Sequence, residues 1–248
     1  MRLKKELNLI DLFCIATGAM ISSGLFVLPS LAYIKSGASV VISYFLAGIL
    51  ALIGVLNQME LVTAMPKSGG IYFYVMRSLG PALGTINGLL VWFSLSLKSA
   101  FALMGMAAFL ESIVNLNIHL VAVVLCIFFI ILNIIGIKQA SFFQKILVSV
   151  LLFLLLIYIL KGIGRVEVRN FEPLFPYGVS KVFSVAGFIF ISYGGVLKIA
   201  SISEEVKNPV RNLPLAMIIS LAVVSILYTS VVFVTVGVCG NSLKNTLM

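Results

Sequence analysis

Acidic side chains are scarce in this chain. Asp and Glu number 8 in 248 residues, and all charged residues together make up 10%. A soluble domain carries about 25% charged residues, so a water-soluble enzyme or binding module is excluded. There is one histidine, His119, and there are three cysteines, Cys14, Cys126 and Cys239, each in or beside an apolar run. No Cys/His/carboxylate spacing is present, so neither a metal site nor a disulfide framework is expected. A phosphate-binding G-x-x-x-x-G-K-[ST] loop and a Ser-His-Asp set are also missing, and the chain is expected to be no enzyme and to need no cofactor.

Apolar residues fill the space left by the charges. They make up 61% of the chain, with a mean hydropathy of +1.20. Seven runs are long enough to span a bilayer at about 20 residues each: 9–34, 38–64, 82–110, 118–137, 143–162, 180–201 and 213–238. The pattern predicts an all-α integral membrane protein with one transmembrane domain over 1–248. The first run follows Arg2-Leu3-Lys4-Lys5 but is too long for a cleaved leader and has no small-residue cleavage site, so it reads as a retained helix. The net charge of +9 sits mostly between the runs. It therefore reads as a topology signal and as contacts to anionic lipid, not as a nucleic-acid surface. With a cytoplasmic N-terminus, Arg2, Lys4, Lys5, Lys67, Arg77, Lys138, Lys145, Lys207 and Arg211 fall inside, against Lys35, Lys161, Arg165, Arg169, Lys181 and Lys244 outside. That excess predicts the N-terminus in the cytoplasm, and a multi-pass protein of the cell membrane.

Two of the runs carry helix-weakening clusters. The first contains Gly18-Ala19-Met20-Ile21-Ser22-Ser23-Gly24 followed by Pro29, and the sixth contains Ser192-Tyr193-Gly194-Gly195. Glycine costs about 1 kcal/mol against alanine inside a helix, and serine competes for backbone hydrogen bonds. One reading is small residues for close helix packing. The other is a pair of interrupted helices at matching depth, a general pointer to a transporter site built on inverted repeats. A break exposes N–H groups suited to a carboxylate and carbonyls suited to an ammonium.

Four stretches resemble the amino acid–polyamine–organocation permease superfamily. They are Gly18–Phe26 with Pro29, Glu60-Leu61 with Met65–Tyr72, Ser192–Gly195, and Glu204-Glu205-Val206-Lys207-Asn208-Pro209 with Arg211-Asn212 and Pro214. The resemblance covers the whole chain and implies a leucine-transporter-type inverted-repeat fold. The first five-helix repeat would occupy about 9–162, and an incomplete second repeat about 180–238, truncated after about seven transmembrane helices. It also implies a secondary active transporter for amino acids or related amines, working by alternating access with proton coupling or exchange. The substrate carboxylate would meet the amides of Ser22, Ser23 and Gly24. Its amino group would meet carbonyls near Met20, Phe190, Ile191 and Gly194, with Ile21, Ser192 and Tyr193 alongside. The sequence departs from the family pattern at Leu197-Lys198 after the second break, and at Leu151, where many members carry a lysine. The end after the seventh run leaves two alternatives open: an amino-acid sensor or accessory subunit without transport, and a non-functional fragment.

Single residues add candidates. Lys98 and Lys198 fall inside spans, where an ionisable group usually faces the protein interior, and they are candidates for coupling or for binding a substrate charge. Glu60 is a candidate for locking an inner gate. Phe190 and Tyr193 are candidate caps over the pocket. Asp11 is expected at the membrane boundary, and His119 at the surface. The oligomeric state is not read from the sequence.

Overall fold

In the computed structural model the described residues are 5–67, 69–114, 117–135 and 137–246. They form α1 (Leu9–Phe26), α2 (Leu28–Ser36), α3 (Val40–Ala64), α4 (Ile71–Leu79), α5 (Pro81–Val114), α6 (Ile118–Ile135), α7 (Ile137–Ile163), α8 (Val179–Tyr193), α9 (Lys198–Ser201) and α10 (Pro209–Thr246). Short 3-10 segments lie between α2 and α3 and on either side of α9. Among the described residues there is no strand, only a parallel bridge between Leu7 and Val206.

By length and hydropathy five stretches can cross a bilayer: Leu28–Ala64, Pro81–Glu111, Gln139–Ile163, Val179–Ser201 and Pro209–Gly240. Leu9–Ile21 and Ile118–Ile134 are shorter apolar helices. All seven apolar runs therefore reappear as helices, and the chain is a multi-pass, all-α membrane protein. The run Leu28–Ala64 is not one straight rod, because Gly37 sits at φ 64° and ψ −144° between α2 and α3.

The division of the first run corrects an expectation. Helix α1 continues through Ser22, Ser23 and Gly24, and the interruption falls at Val27, with φ −114°. Pro29 is the reason. It sits in the first turn of α2, cannot donate to the carbonyl of Leu25, and disfavours helical geometry at Leu28. The glycines and serine weaken the helix, but the missing N–H decides where it stops. In the sixth run the interruption does fall on the glycines. There the chain tightens into a 3-10 turn over Gly194–Leu197 and does not unwind.

The centre of the bundle is α1, α3, α8 and α10. Helix α10 packs on α3 and α1, and α3 packs on α8. Small residues set these approaches. A side chain at Gly48 would run into Ser225 of α10, and one at Gly195 would run into the α1 backbone at Ala19 and Met20. Helices α5, α6 and α7 stand outside this centre, with α5 packed on α4 and α6. Leu89, Trp92, Phe101, Phe109, Ile134 and Phe153 are all more than half exposed there. Such an apolar surface suits hydrocarbon and not water.

At the end of the bundle where α1 begins, three segments are tied together. Asn8 starts the helix and its carbonyl accepts from Leu12 N–H, while its own N–H donates to Asp11 Oδ2 at 2.8 Å. Asp11, expected at the boundary, is instead buried. Its other oxygen accepts from Ser141 Oγ at 2.9 Å and pairs with Lys145 Nζ at 2.8 Å, so α1 is fastened to α7. Glu6 and Leu7 donate backbone N–H groups to Glu205 O, and Lys207 N–H donates to Leu7 O. Burial, with Glu6 and Glu204 nearby, holds the Glu205 carboxyl above its ordinary range. Ser203 Oγ reaches Lys67 O at 3.0 Å, joining the same knot to the loop after α3.

The close approach at Gly195 gives a test. Gly195→Val should abolish a monodisperse peak in fluorescence-detected size-exclusion chromatography. Gly164→Val, at a position with nothing within 4 Å of the added carbon, should keep it. Equal behaviour of the two variants would refute the packing described.

Candidate functional site

The last two turns of α1 cross the 3-10 turn Gly194–Leu197, and the glycine at 195 is what lets the two backbones meet. Around this crossing, three carbonyls of α1 accept hydrogen bonds from side chains of three other helices. Lys98 Nζ of α5 donates to Ala19 O at 2.9 Å. Tyr228 of α10 donates its hydroxyl to Met20 O at 2.6 Å. Tyr44 of α3 donates to Gly24 O at 2.9 Å. Carbonyls in the final turn of a helix lack an intrahelical partner, and inside a membrane an unpartnered one costs several kcal/mol. Tyr44 supplies the partner that the interruption removes.

The tyrosines hold one another in place. Tyr44 and Tyr228 meet edge to face, with centroids 5.6 Å apart and ring planes at 85°. Tyr193 lies 5.3 Å from Tyr228, and its hydroxyl reaches Tyr44 O at 3.3 Å. Gly24 leaves room for the Tyr228 hydroxyl and for Ser192, which a larger residue would displace. Ser192 Oγ turns back to Ile189 O at 2.7 Å. Met20, Ile21, Gly24, Ser192 and Tyr193 are all buried, so the crossing is packed shut.

The structure therefore brings together Met20, Ile21, Gly24, Ser192 and Tyr193 of the expected set. The backbones of Ser22 and Ser23 are part of α1, and their side chains lie outside the described residues. Phe190 and Ile191 lie in the last turn of α8. Their side chains are exposed, the Phe190 ring lies toward Gly54 of α3, and the Ile191 carbonyl is taken by Gly194 N–H. Helical phase explains this, since Ser192 and Tyr193 share the buried face of α8 and the side chains of the two residues before them turn to the other side. Phe190 is accordingly not a cap over the crossing, and Tyr193 is part of its wall. Gly194 and Lys198 are exposed beside the crossing. Glu60 is exposed in the last turn of α3, and His119 is exposed near the start of α6.

Sequence reasoning missed Tyr44, Tyr228 and Lys145. The signal for the first two was available: a tyrosine in the middle of an apolar run needs an acceptor for its hydroxyl. The identity of that acceptor was not. Lys145, at the edge of the run 143–162, was counted as a cytoplasmic-side charge, and nothing in the sequence marks Asp11 as its partner. Near it, between the chain start and α7, an open groove of about 680 Å³ is lined by residues including Lys5, Asp11, Ser141, Lys145 and Lys207.

Helices that cross a bilayer, with interrupted backbone packed at the centre, define a polytopic membrane protein with an internal polar site. The pattern of the Amino acid permease family matches residues 7–246, and the chain belongs to that family. It is similar to the branched-chain amino acid permease BcaP of Bacillus subtilis (strain 168), 29% identical over 95% of this chain and 55% of that protein. It is likewise similar to the methylthioribose transporter of the same organism, 28% identical over 95% of this chain and 55% of the relative. Cationic amino acid transporter 1 of Arabidopsis thaliana is 28% identical over 91% of this chain and 41% of its own length. The chain spans about half the length of the curated relatives it matches.

The hydroxyl on Met20 gives a test. Tyr228→Phe keeps the ring and removes the donor, which should lower stability by ~1 kcal/mol or more. A thermal melt in detergent should fall by a few degrees, while Tyr177→Phe, at an exposed position, should not shift. No difference between the two would show that the Met20 carbonyl does not depend on Tyr228.

Proposed function

We propose that the protein is a secondary active transporter for amino acids or related amines. The crossing of α1 with the 194–197 turn would be its substrate site. The observation that carries the proposal is the set of α1 carbonyls at Ala19, Met20 and Gly24 held by side-chain donors. An ammonium is a donor of the same kind. A substrate amino group can replace the Tyr228 hydroxyl on Met20 O with little net change in hydrogen bonding. The substrate carboxylate would then meet amides of the 22–24 stretch once α1 unwinds between 18 and 24, with Ser192, Tyr193 and Gly194 on the opposite side.

On this reading the packed crossing is an occluded arrangement, and alternating access requires α1 or the 194–197 turn to move. Relatives named as permeases and transporters support the reading. The N-terminus would lie in the cytoplasm and the protein in the cell membrane. The knot of Asp11 with Lys145 and Leu7 with Val206 would then close the inner side. Movement would be driven by the proton gradient or by exchange, and the helices would follow the leucine-transporter-type inverted repeat.

The test is uptake. The full-length protein, purified and reconstituted in liposomes, should accumulate at least one radiolabelled amino acid or amine over protein-free liposomes. Gly24→Val should remove that uptake. Absence of both binding and flux across the twenty amino acids and the common polyamines would overturn the proposal.

A further inference from the structure

The charges at the centre of the bundle are of one sign. Each of the eight acidic residues lies at a helix end or in a connection. Glu6 and Asp11 are at the start of α1, Glu60 is in the last turn of α3, and Glu111 is in the last turn of α5. Glu167 and Glu172 lie between α7 and α8, and Glu204 and Glu205 follow α9. Of the lysines inside bilayer-crossing stretches, Lys98 and Lys198 lie at the candidate site. Lys98, midway along α5, reaches Ala19 O at 2.9 Å, one residue before the carbonyl that Tyr228 occupies. Lys198 opens α9 directly after the 194–197 turn, at an exposed position beside the crossing. Neither lysine has a carboxylate among the residues that build the crossing.

We infer that Lys98, reinforced by Lys198, sets the charge class of the substrate, admitting amino acids with neutral or acidic side chains and excluding those with cationic ones. The inference rests on the transporter reading above and deepens it. A lysine ammonium has three donors, and Ala19 takes one, which leaves two for an incoming anionic group. A second ammonium on the substrate side chain would face the half-buried Lys98 ammonium, with the exposed Lys198 beyond it, and away from bulk water Coulomb repulsion from Lys98 is the stronger of the two. The family alone does not decide the matter, since the relatives' names include both a branched-chain permease and cationic transporters.

The experiment is a selectivity profile of the reconstituted full-length protein, with binding and uptake measured for leucine, glutamate and lysine as probes within a panel of the twenty amino acids. Lysine and arginine should be taken at least about tenfold less well than the best neutral or acidic amino acid. Lys98→Met should raise the ratio of lysine to leucine uptake at least about tenfold, and Lys98→Arg should leave that ratio low. Lys198→Gln, at an exposed position, should move the ratio in the same direction by less, and it serves if Lys98→Met does not insert. A wild-type protein that takes lysine or arginine as well as neutral amino acids would overturn this inference and leave the transporter reading standing. So would a ratio unchanged in every folded variant. A protein that binds nothing in the panel would overturn both.

Discussion

A backbone carbonyl in the middle of a membrane protein has no water to turn to, and much of this structure follows from that constraint. Pro29 takes away the N–H that would have closed the last turn of α1, so the chain must find donors elsewhere. For Gly24 O it finds one on α3, the Tyr44 hydroxyl, while α5 and α10 add further donors to carbonyls inside the helix. Tyr44, Lys98 and Tyr228 each end on a different carbonyl of α1, and the tyrosine rings then fill the space between α3, α8 and α10. The same contacts that satisfy the interruption also hold the bundle together. On the proposed reading, a ligand's amino group would exchange with the Tyr228 hydroxyl on Met20 O.

The two ends of α1 are held by different physics. At its start, Asp11 accepts from the Asn8 N–H and from Ser141 and pairs with Lys145, and the residues before it are sewn to the connection after α9 by backbone hydrogen bonds. Farther along, α1 meets Gly195 and Tyr228 through close packing and single hydrogen bonds. Movement of α1 has to release the first set together, since the bridge at Leu7 and the pair at Asp11 lie within four residues of each other. Movement of the 194–197 turn has to release only the second. This asymmetry favours the 3-10 turn as the more yielding partner, in keeping with the use of such turns as hinges.

The fold class was legible in the sequence because bilayer crossing is written in composition and run length, and the apolar runs all became helices. The site was legible in part. Glycines at 24 and 195 marked the crossing because close approach demands them, and Ser192 and Tyr193 followed from their neighbours. The position of the first interruption was misjudged because glycine and serine only weaken a helix, whereas the proline five residues beyond Gly24 removes a bond outright. The outward turn of the Phe190 and Ile191 side chains was not legible, because a stretch of sequence does not reveal which face of a helix turns inward. Tyr44, Tyr228 and Lys145 escaped because their partners lie 20, 208 and 134 residues away along the chain.

The most direct test of the account is a ligand-bound structure of the full-length protein in a lipid nanodisc, by electron cryomicroscopy with a transported amino acid. The account predicts density between residues 20–24 and 192–194, with the ligand's amino group on the Met20 carbonyl and the Tyr228 hydroxyl moved off it. Density elsewhere in the bundle, or a bound ligand with Tyr228 still on Met20, would contradict it.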